Sequence, residues 1–308
     1  MNIATWVAIA ASAVAAATPL IYAALGELVT ERAGVLNLGV EGMMLVGAIT
    51  GFAVGISTGS LLLAYVAAAA AGALMALLFG VLTLSLQTNQ VATGLALTLF
   101  GVGLSAFAGR AFVGLPIARV PVLHIPLLGD LPVIGELLFH FDVLEYLGLA
   151  LCAAISWWLR STRAGLRLRA VGESPATAHE LGEPVTRIRY LAVLFGGAMS
   201  GIAGAYLSTA LTPMWVEGMT TGRGWIALAL VVFGTWKPWR VLGGAYLFGT
   251  VTVLQLYAQG LGIRVPSEFL SMLPYAATII VLVIICRDPR TILLNQPASL
   301  GRSFHPGH

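Results

Sequence analysis

The feature that most constrains the fold is an uncharged, largely apolar run from Ala4 to Leu25. A helix of about 20 apolar residues is long enough to cross the hydrocarbon core of a membrane. Similar runs recur along the chain, in which 58% of residues are hydrophobic and only 9% are charged. Soluble domains carry roughly 25% charged residues, so no soluble packing would cover this surface with polar groups. The sequence therefore predicts an all-α, polytopic integral membrane protein.

Polar breaks divide the chain into about 8–10 membrane-spanning or half-spanning helices, in one domain over residues 1–308. The N-terminal run is interpreted as a permanent span, because Met1–Thr5 has no basic residue and the run exceeds a signal-peptide core. Residues 224–234 are too few to cross alone at about 1.5 Å per residue, which predicts a broken or re-entrant helix. The predicted segments are 5–25, 36–57, 60–85, 91–109, 143–159, 190–210, 224–234, 241–259 and 269–286.

The arginines predict the orientation of the chain. Six arginines lie in the loop 160–189 and three lie in the tail 287–308, which places both segments in the cytoplasm by the positive-inside rule. Counting spans backwards places 110–142 outside, together with the N-terminus. Four prolines punctuate 110–142, which predicts an extracytoplasmic loop folded on the membrane surface rather than a span.

Three polar islands interrupt the apolar runs, and each is a candidate for a solute path or for an interface with another subunit. The first, ERAGVLNLGVEGMM at 31–44, contains Asn37 and Glu41. Asn37 could instead satisfy backbone groups freed by a chain break, and Glu41 could gain only from the dipole of its own helix. Both interpretations remain open at this point.

The other two islands are 87–94 and 212–224. Asn89 and Gln90 are uncharged donors and acceptors that suit a neutral polar solute such as a sugar or nucleoside, although water at a loop would also satisfy them. Glu217 and Arg223 could pair and so reduce the cost of charges near lipid. The tetrapeptide VEGM occurs at 40–43 and at 216–219, on opposite sides of the membrane by span counting. An inverted repeat would have this arrangement, and a chain of this composition would also repeat a tetrapeptide by chance.

Small residues at fixed spacing indicate close helix packing. Gly197 and Gly201 form a GxxxG pair, and Gly196, Ser200 and Gly204 repeat the spacing one position earlier. Such residues let helix backbones approach closely, so their predicted role is structural rather than ligand binding.

The loop 160–189 contains a short, well-delimited helix. Ser174 suits the N-cap, Pro175 suits the first helical position, and Gly182 suits the C-terminal end. A helix of about two turns is marginal in water, so something must pack on it. The candidates are a cytoplasmic partner and the flanking loops of the chain itself.

Sequence motifs for catalysis are absent. The chain has no HExxH, no GxSxG and no paired His/Cys spacing, so we expect no catalytic residue, no metal site and no cofactor. The single lysine, Lys237, follows Trp236, which excludes a Walker A motif. Any ATP hydrolysis must therefore occur on another subunit. The span centres lack carboxylates, which disfavours an ion-coupled carrier, and the net charge of +3 does not indicate nucleic acid binding.

Four segments, in order, resemble signatures of the nucleoside-type ABC importer permeases, within the branched-chain amino acid and simple-sugar permease family. Each is written with its position: ATPLIYAALGELVTERAGVLNLGVEGMMLVGAITGF (17–52), NQVATGLALTLFGVGL (89–104), GLRLRAVGESPATAHELGEPVTRIRYLAVLFGGAMSGIAGAYLS (165–208) and VEGMTTGRGWIALALVVFGTWKP (216–238). The loop 110–142 and the tail are unmatched, and Glu183 and Pro184 depart from the usual residues.

The resemblance implies a permease subunit of an ABC importer in the bacterial cytoplasmic (inner) membrane. It implies nucleosides or related purine-like solutes as cargo, with simple sugars or branched-chain amino acids as alternatives. The implied partners are a second homologous permease, with this chain the shorter subunit of a heterodimer, a cytoplasmic ATP-binding subunit and an extracytoplasmic substrate-binding lipoprotein. By the same resemblance, the helix at Ser174, Pro175, Ala178, Leu181 and Gly182 is the coupling helix that docks on the ATPase.

Overall fold

The computed structural model describes residues 3–123, 135, 139–260 and 295–305, with single residues or pairs between 266 and 283. Within these ranges the chain is helical, and only isolated β-bridges join loops. The helices are α1 (Ile3–Arg32), α2 (Val40–Thr58), α3 (Leu61–Gly80), α4 (Gln90–Gly109), α5 (Val143–Ser161), α6 (Arg163–Glu173), α7 (Pro175–Glu180), α8 (Val185–Tyr206), α9 (Arg223–Phe233) and α10 (Pro238–Gly260). Single π-helical turns extend α3 to Ser85 and α8 to Leu211.

Seven helices of the described chain are long and apolar enough to cross a membrane: α1 to α5, α8 and α10. They confirm the predicted all-α polytopic fold. Helix α9 has only 11 residues, as expected for the half-spanning segment. The predicted span 269–286 lies mostly outside the described residues.

The first span is longer than its prediction, because α1 continues past Leu25 to Arg32. Two carboxylates, Glu27 and Glu31, therefore belong to the helix rather than to a polar break, and both are buried. A membrane helix tolerates such groups where protein rather than lipid surrounds it. Just past the helix, Gly34 has a φ of 84°, which suits glycine and turns the chain toward α2.

Helix α8 lies at the centre of the bundle and packs on α1, α2 and α3. Its glycines permit these contacts: a Cβ at Gly201 would overlap the carbonyl oxygen of Ala68, and one at Gly204 would overlap that of Met44. Gly197 lies against Gly72 in the same way. The predicted packing role of the small-residue stripe is confirmed.

The predicted cytoplasmic segments lie together at one end of the bundle, which we call the coupling end. There the N–H of Ser299 donates to the carbonyl oxygen of Gly172 at 3.0 Å, and Arg32 donates to that of Asn295 at 3.1 Å. At the opposite, outer end, bridges join residues 113–116 to 214–215. Part of the predicted outer loop, including Pro126 and Pro132, lies outside the described residues. The assignment of the two ends to cytoplasm and exterior stays a prediction.

Candidate translocation and coupling sites

Glu41 holds the N-terminus of the half-helix α9. One carboxylate oxygen accepts hydrogen bonds from the hydroxyl of Thr220 and from the N–H of Gly222, the latter at 2.9 Å. The other accepts from the N–H of Gly224 at 2.6 Å. Glu41 therefore accepts hydrogen bonds from free N–H groups at the start of α9. Its negative charge also lies at the positive end of the α9 dipole, as well as in the first turn of α2.

The same contact shows how the two VEGM segments are related in the structure. The second segment begins directly after Trp215, which is bridged to Val113 at the outer end, and the chain reaches Glu41 of the first segment only at Gly222 and Gly224. Residues 212–222 are not helical beyond the turn that ends α8 and run along α2, where Trp215 packs on Phe52. The placement of the two segments on opposite sides of the membrane stays a prediction. Glu217 is exposed in this segment and Arg223 begins α9; their pairing stays a prediction.

Asn37 stabilises the break between α1 and α2. Its side-chain oxygen accepts the N–H of Gly39 at 2.9 Å, and its own N–H donates to the carboxylate of Glu27 at 3.1 Å. Asn37 is fully buried. These contacts correspond to the structural alternative for this residue, in which it satisfies backbone groups freed by the break.

Gln90 and Asn89 differ in their surroundings although they are adjacent. Gln90 is buried, and its side-chain oxygen accepts the N–H of Leu36 at 2.8 Å. This hydrogen bond connects the start of α4 to the break between α1 and α2. Asn89 is exposed and caps α4 by accepting the N–H of Ala92 at 3.0 Å. Of the two, only Asn89 presents its side chain at the surface of this chain.

The predicted coupling helix is present as α7. The Ser174 hydroxyl accepts the N–H of Thr177 at 3.3 Å, Pro175 occupies the first turn, and Gly182 has a φ of 83° just past the helix. Ala178 is only 3% exposed and packs on Val171. Leu181, at 79% exposed, is the residue of the predicted set that projects from the chain.

A C-terminal strap, residues 295–305, ties the coupling helix to the rest of the coupling end. The Phe304 ring contacts the His179 ring edge-on at a centroid distance of 5.5 Å, and the Phe304 carbonyl accepts from Gln87 at 3.2 Å. Arg189 is buried and donates to the carbonyl oxygen of Ala33 at 3.1 Å and to the Ser299 hydroxyl at 3.1 Å. Nothing in the sequence indicates this role, since Arg189 counts there only as a positive-inside residue.

Two further buried carboxylate clusters were not predicted from the sequence. At the coupling end, Glu31 accepts the indole N–H of Trp236 at 2.6 Å. At the outer end, the Tyr206 hydroxyl donates to Asp142 at 2.8 Å, and Asp142 with Glu145 forms a capping box at the start of α5. The Asp-x-x-Glu spacing was a readable signal for the capping box. No sequence signal indicated its distant tyrosine.

Together these contacts form a continuous connection between the two candidate sites. Helix α7 contacts the strap, the strap contacts the α1–α2 turn through Gly34 and Gly301 at 3.2 Å, and α2 holds α9 through Glu41. Within this subunit, the coupling helix and the broken segment are therefore joined by a chain of packed and hydrogen-bonded residues.

The sequence was also compared with known proteins. A family model described as branched-chain amino acid transport system / permease component matches residues 9–282. The putative glucose ABC transporter permease protein TsgC13 of Haloferax volcanii is 42% identical, with 95% of each chain covered. The guanosine ABC transporter permease protein NupQ of Bacillus subtilis is 35% identical over 86% of this chain and 88% of the relative.

A weaker match is the guanosine ABC transporter permease protein NupP of Bacillus subtilis, 28% identical over 77% of this chain and 70% of the relative. No solved structure matches the chain. The family match covers most of the chain, and the described helices are those of a multi-pass membrane protein. The chain therefore belongs to the branched-chain amino acid transport system / permease component family, as an ABC transporter permease of the cytoplasmic membrane and not an enzyme.

Proposed function

We propose that this permease forms half of the translocation path of an importer for neutral, hydroxyl-bearing solutes, with nucleosides as the first candidate. Hexose sugars are the second candidate, favoured by the 42% identity to a putative glucose permease. Nucleosides are favoured by the match to NupQ. Both solute classes present hydroxyls and lack a net charge.

The observation that carries the proposal is the contact between Glu41 and the N-terminus of α9. In transporters with broken helices, the free N-terminus of a half-helix commonly binds an anionic group of the substrate. Here a carboxylate of the same chain already accepts the N–H groups of Gly222 and Gly224. This occupancy supports a neutral solute and counts against branched-chain amino acids, which carry a carboxylate.

The proposed partners follow from the family and from the paired relatives. An ABC permease requires an ATP-binding subunit, and we assign its docking to α7, with Leu181 exposed for contact. In Bacillus subtilis two guanosine permeases match this chain, and the chain covers 88% of NupQ but only 70% of NupP. This difference supports the role of shorter subunit in a heterodimer, with a substrate-binding lipoprotein at the outer end.

The test is transport by the reconstituted system. The permease, its partner permease, the ATPase and the lipoprotein are placed in liposomes with labelled guanosine or glucose. We expect ATP-dependent guanosine uptake that is lost when the Walker A lysine of the ATPase is replaced. Glucose uptake without guanosine uptake would select the second candidate, whereas uptake of either solute by this chain alone would refute the importer mechanism.

A further inference from the structure

A groove of about 690 Å³ opens between α5, α6 and the first half of α8, away from Glu41 and from the exposed face of α7. This volume falls in the range that small-ligand sites occupy. Its walls are mainly apolar, with Leu191 and Phe195 of α8 facing Trp157 and Trp158 of α5. The path and coupling sites described above use none of these four side chains.

The tryptophans mark the depth of the groove in the membrane. Trp157 and Trp158 lie near the C-terminal end of α5, three and two residues before Arg160, and Trp157 is 64% exposed. Tryptophan is enriched at the membrane–water interface, where its ring lies at the level of the lipid headgroups. The apolar part of the groove then continues along α5 and α8 into the hydrocarbon region. The groove mouth is therefore at headgroup level on the coupling end.

The charged side chains that line the groove are two arginines and one glutamate. Arg167 Nε lies 2.9 Å from a carboxylate oxygen of Glu183, which leaves the remaining N–H donors of that guanidinium for another acceptor. Arg187 lines the same groove and is exposed. The lining therefore carries a net positive charge beside an apolar wall, and planar guanidinium groups suit a phosphate.

We propose that this groove binds an anionic phospholipid of the cytoplasmic leaflet. The phosphate lies on Arg167 and Arg187, and an acyl chain lies along Leu191, Phe195 and Trp158. Basic pockets between transmembrane helices at the cytoplasmic side are suited to anionic headgroups, and the apolar wall suits the acyl chain. A protein partner would have to bury both arginines. Burial of these two positive charges is less favourable than their pairing with the negative phosphodiester of a lipid.

The site has a consequence for coupling. Glu183 and Pro184 line the groove and also connect α7 to α8. A lipid held there contacts the segment that carries α7. We therefore expect the ATPase activity of the assembled transporter to change with the anionic lipid content of its membrane.

The experiment measures lipid retention by the purified transporter complex. The complex is equilibrated in equal amounts of phosphatidylglycerol and phosphatidylcholine, and native mass spectrometry counts the lipids that stay bound. The double variant Arg167→Gln/Arg187→Gln should lose phosphatidylglycerol preference, by roughly fivefold for each arginine. The matched control Arg163→Gln/Arg169→Gln removes the same charge from exposed positions of α6 outside the groove and should retain the wild-type preference.

Two further variants keep the test decisive if the arginine variants fold poorly. Glu183→Gln frees Arg167 and should increase phosphatidylglycerol retention. Ala154→Trp fills the apolar wall and should reduce retention of both lipids. Equal loss in the two arginine pairs, or equal retention of the two lipids by the wild type, would overturn the proposal. So would a photo-crosslinker at Leu191 that attaches to the second permease in place of lipid.

Discussion

Glu41 shows how a single carboxylate joins two distant parts of the sequence. Its three acceptor contacts go to Thr220, Gly222 and Gly224, roughly 180 residues away. Gly224 packs so closely on Glu41 that a Cβ there would lie 2.6 Å from the Glu41 Cα. The short helix α9 therefore begins where Glu41 places it.

Replacing Glu41 with alanine should destabilise the protein and impair transport. The change leaves buried N–H groups without an acceptor, which typically costs about 3 kcal/mol. The measurement is the thermal melting temperature of the purified permease, together with uptake in liposomes. Glu217→Ala is the control, because this exposed glutamate should contribute less than about 0.5 kcal/mol. A melting temperature for Glu41→Ala equal to that of the wild type would contradict the capping role.

At the scale of the elements, α8 organises the bundle through glycine. It contacts three other spanning helices at once, and a Cβ at Gly201 or Gly204 would meet the backbone of a neighbouring helix. Close backbone contact replaces the hydrophobic driving force that lipid does not supply between helices. The packing of α8 therefore depends on the size of the side chains at its glycine positions rather than on their polarity.

The variant Gly201→Ala should destabilise the bundle by about 1–3 kcal/mol, because its Cβ overlaps the Ala68 carbonyl oxygen and forces α3 and α8 apart. Gly103→Ala is the matched control, since a Cβ at that helical glycine meets nothing within 4 Å and alanine is the better helix former. Detergent-resistance or thermal-shift assays of both variants check this. Equal effects of the two substitutions would refute the packing assignment.

Two residues at helix α7 have different surroundings, one buried against its own chain and one exposed. Ala178 packs on Val171 and Val185, whereas Leu181 contacts little of its own chain. A bulky charge at Ala178, such as Ala178→Glu, should therefore abolish ATPase association by displacing the helix from its own loops. It should lower the permease melting temperature as well.

The variant Leu181→Ala should separate docking from folding. Loss of an exposed anchor of this size is expected to weaken ATPase binding by roughly tenfold with no change in permease stability. Leu166→Ala is the control, because Leu166 is also exposed but lies on α6. Surface-immobilised permease titrated with ATPase measures the affinities. An unchanged affinity in Leu181→Ala would contradict docking on α7, and equal weakening by both variants would show that docking is not specific to α7.

At the scale of the whole molecule, the C-terminal strap closes the coupling end. It connects the loop that carries α7 to the α1–α2 turn through Ser299, Gly301 and Phe304. Arg189 lies beneath it with hydrogen bonds to both the strap and the turn. The C-terminal strap and the α1–α2 turn thus meet where the ATPase is proposed to dock.

Arg189→Met should release the strap while it preserves the length and apolar stem of the side chain. Three buried hydrogen bonds are lost, so residues 295–305 should exchange their backbone amides at least tenfold faster. Hydrogen–deuterium exchange of the intact chain measures this. The control Arg187→Met, two residues earlier and exposed, should leave exchange of the strap unchanged. Unchanged exchange in Arg189→Met would show that other contacts hold the strap.

Local patterns were enough to predict several elements. The caps of α7 at Ser174 and Gly182 are signals between near neighbours, and they appear in the structure as predicted. Span positions depend on runs of apolar residues and were also close. The end of α1 was misplaced, because Glu27 and Glu31 look like a polar break until the protein around them is known. Burial by other helices is not a property of the local sequence.

Hydropathy and small-residue spacing act over one or two turns. The local sequence was therefore enough to predict a helical membrane protein, the position of most spans and the close packing of the glycine-rich helix at 190–210. The roles of the polar residues depend instead on tertiary contacts. Glu41 caps α9, Gln90 fastens the break and Arg189 holds the strap, each through a partner on a different helix or segment. Such pairings depend on how the helices are arranged around α8, and no spacing along the chain records that arrangement.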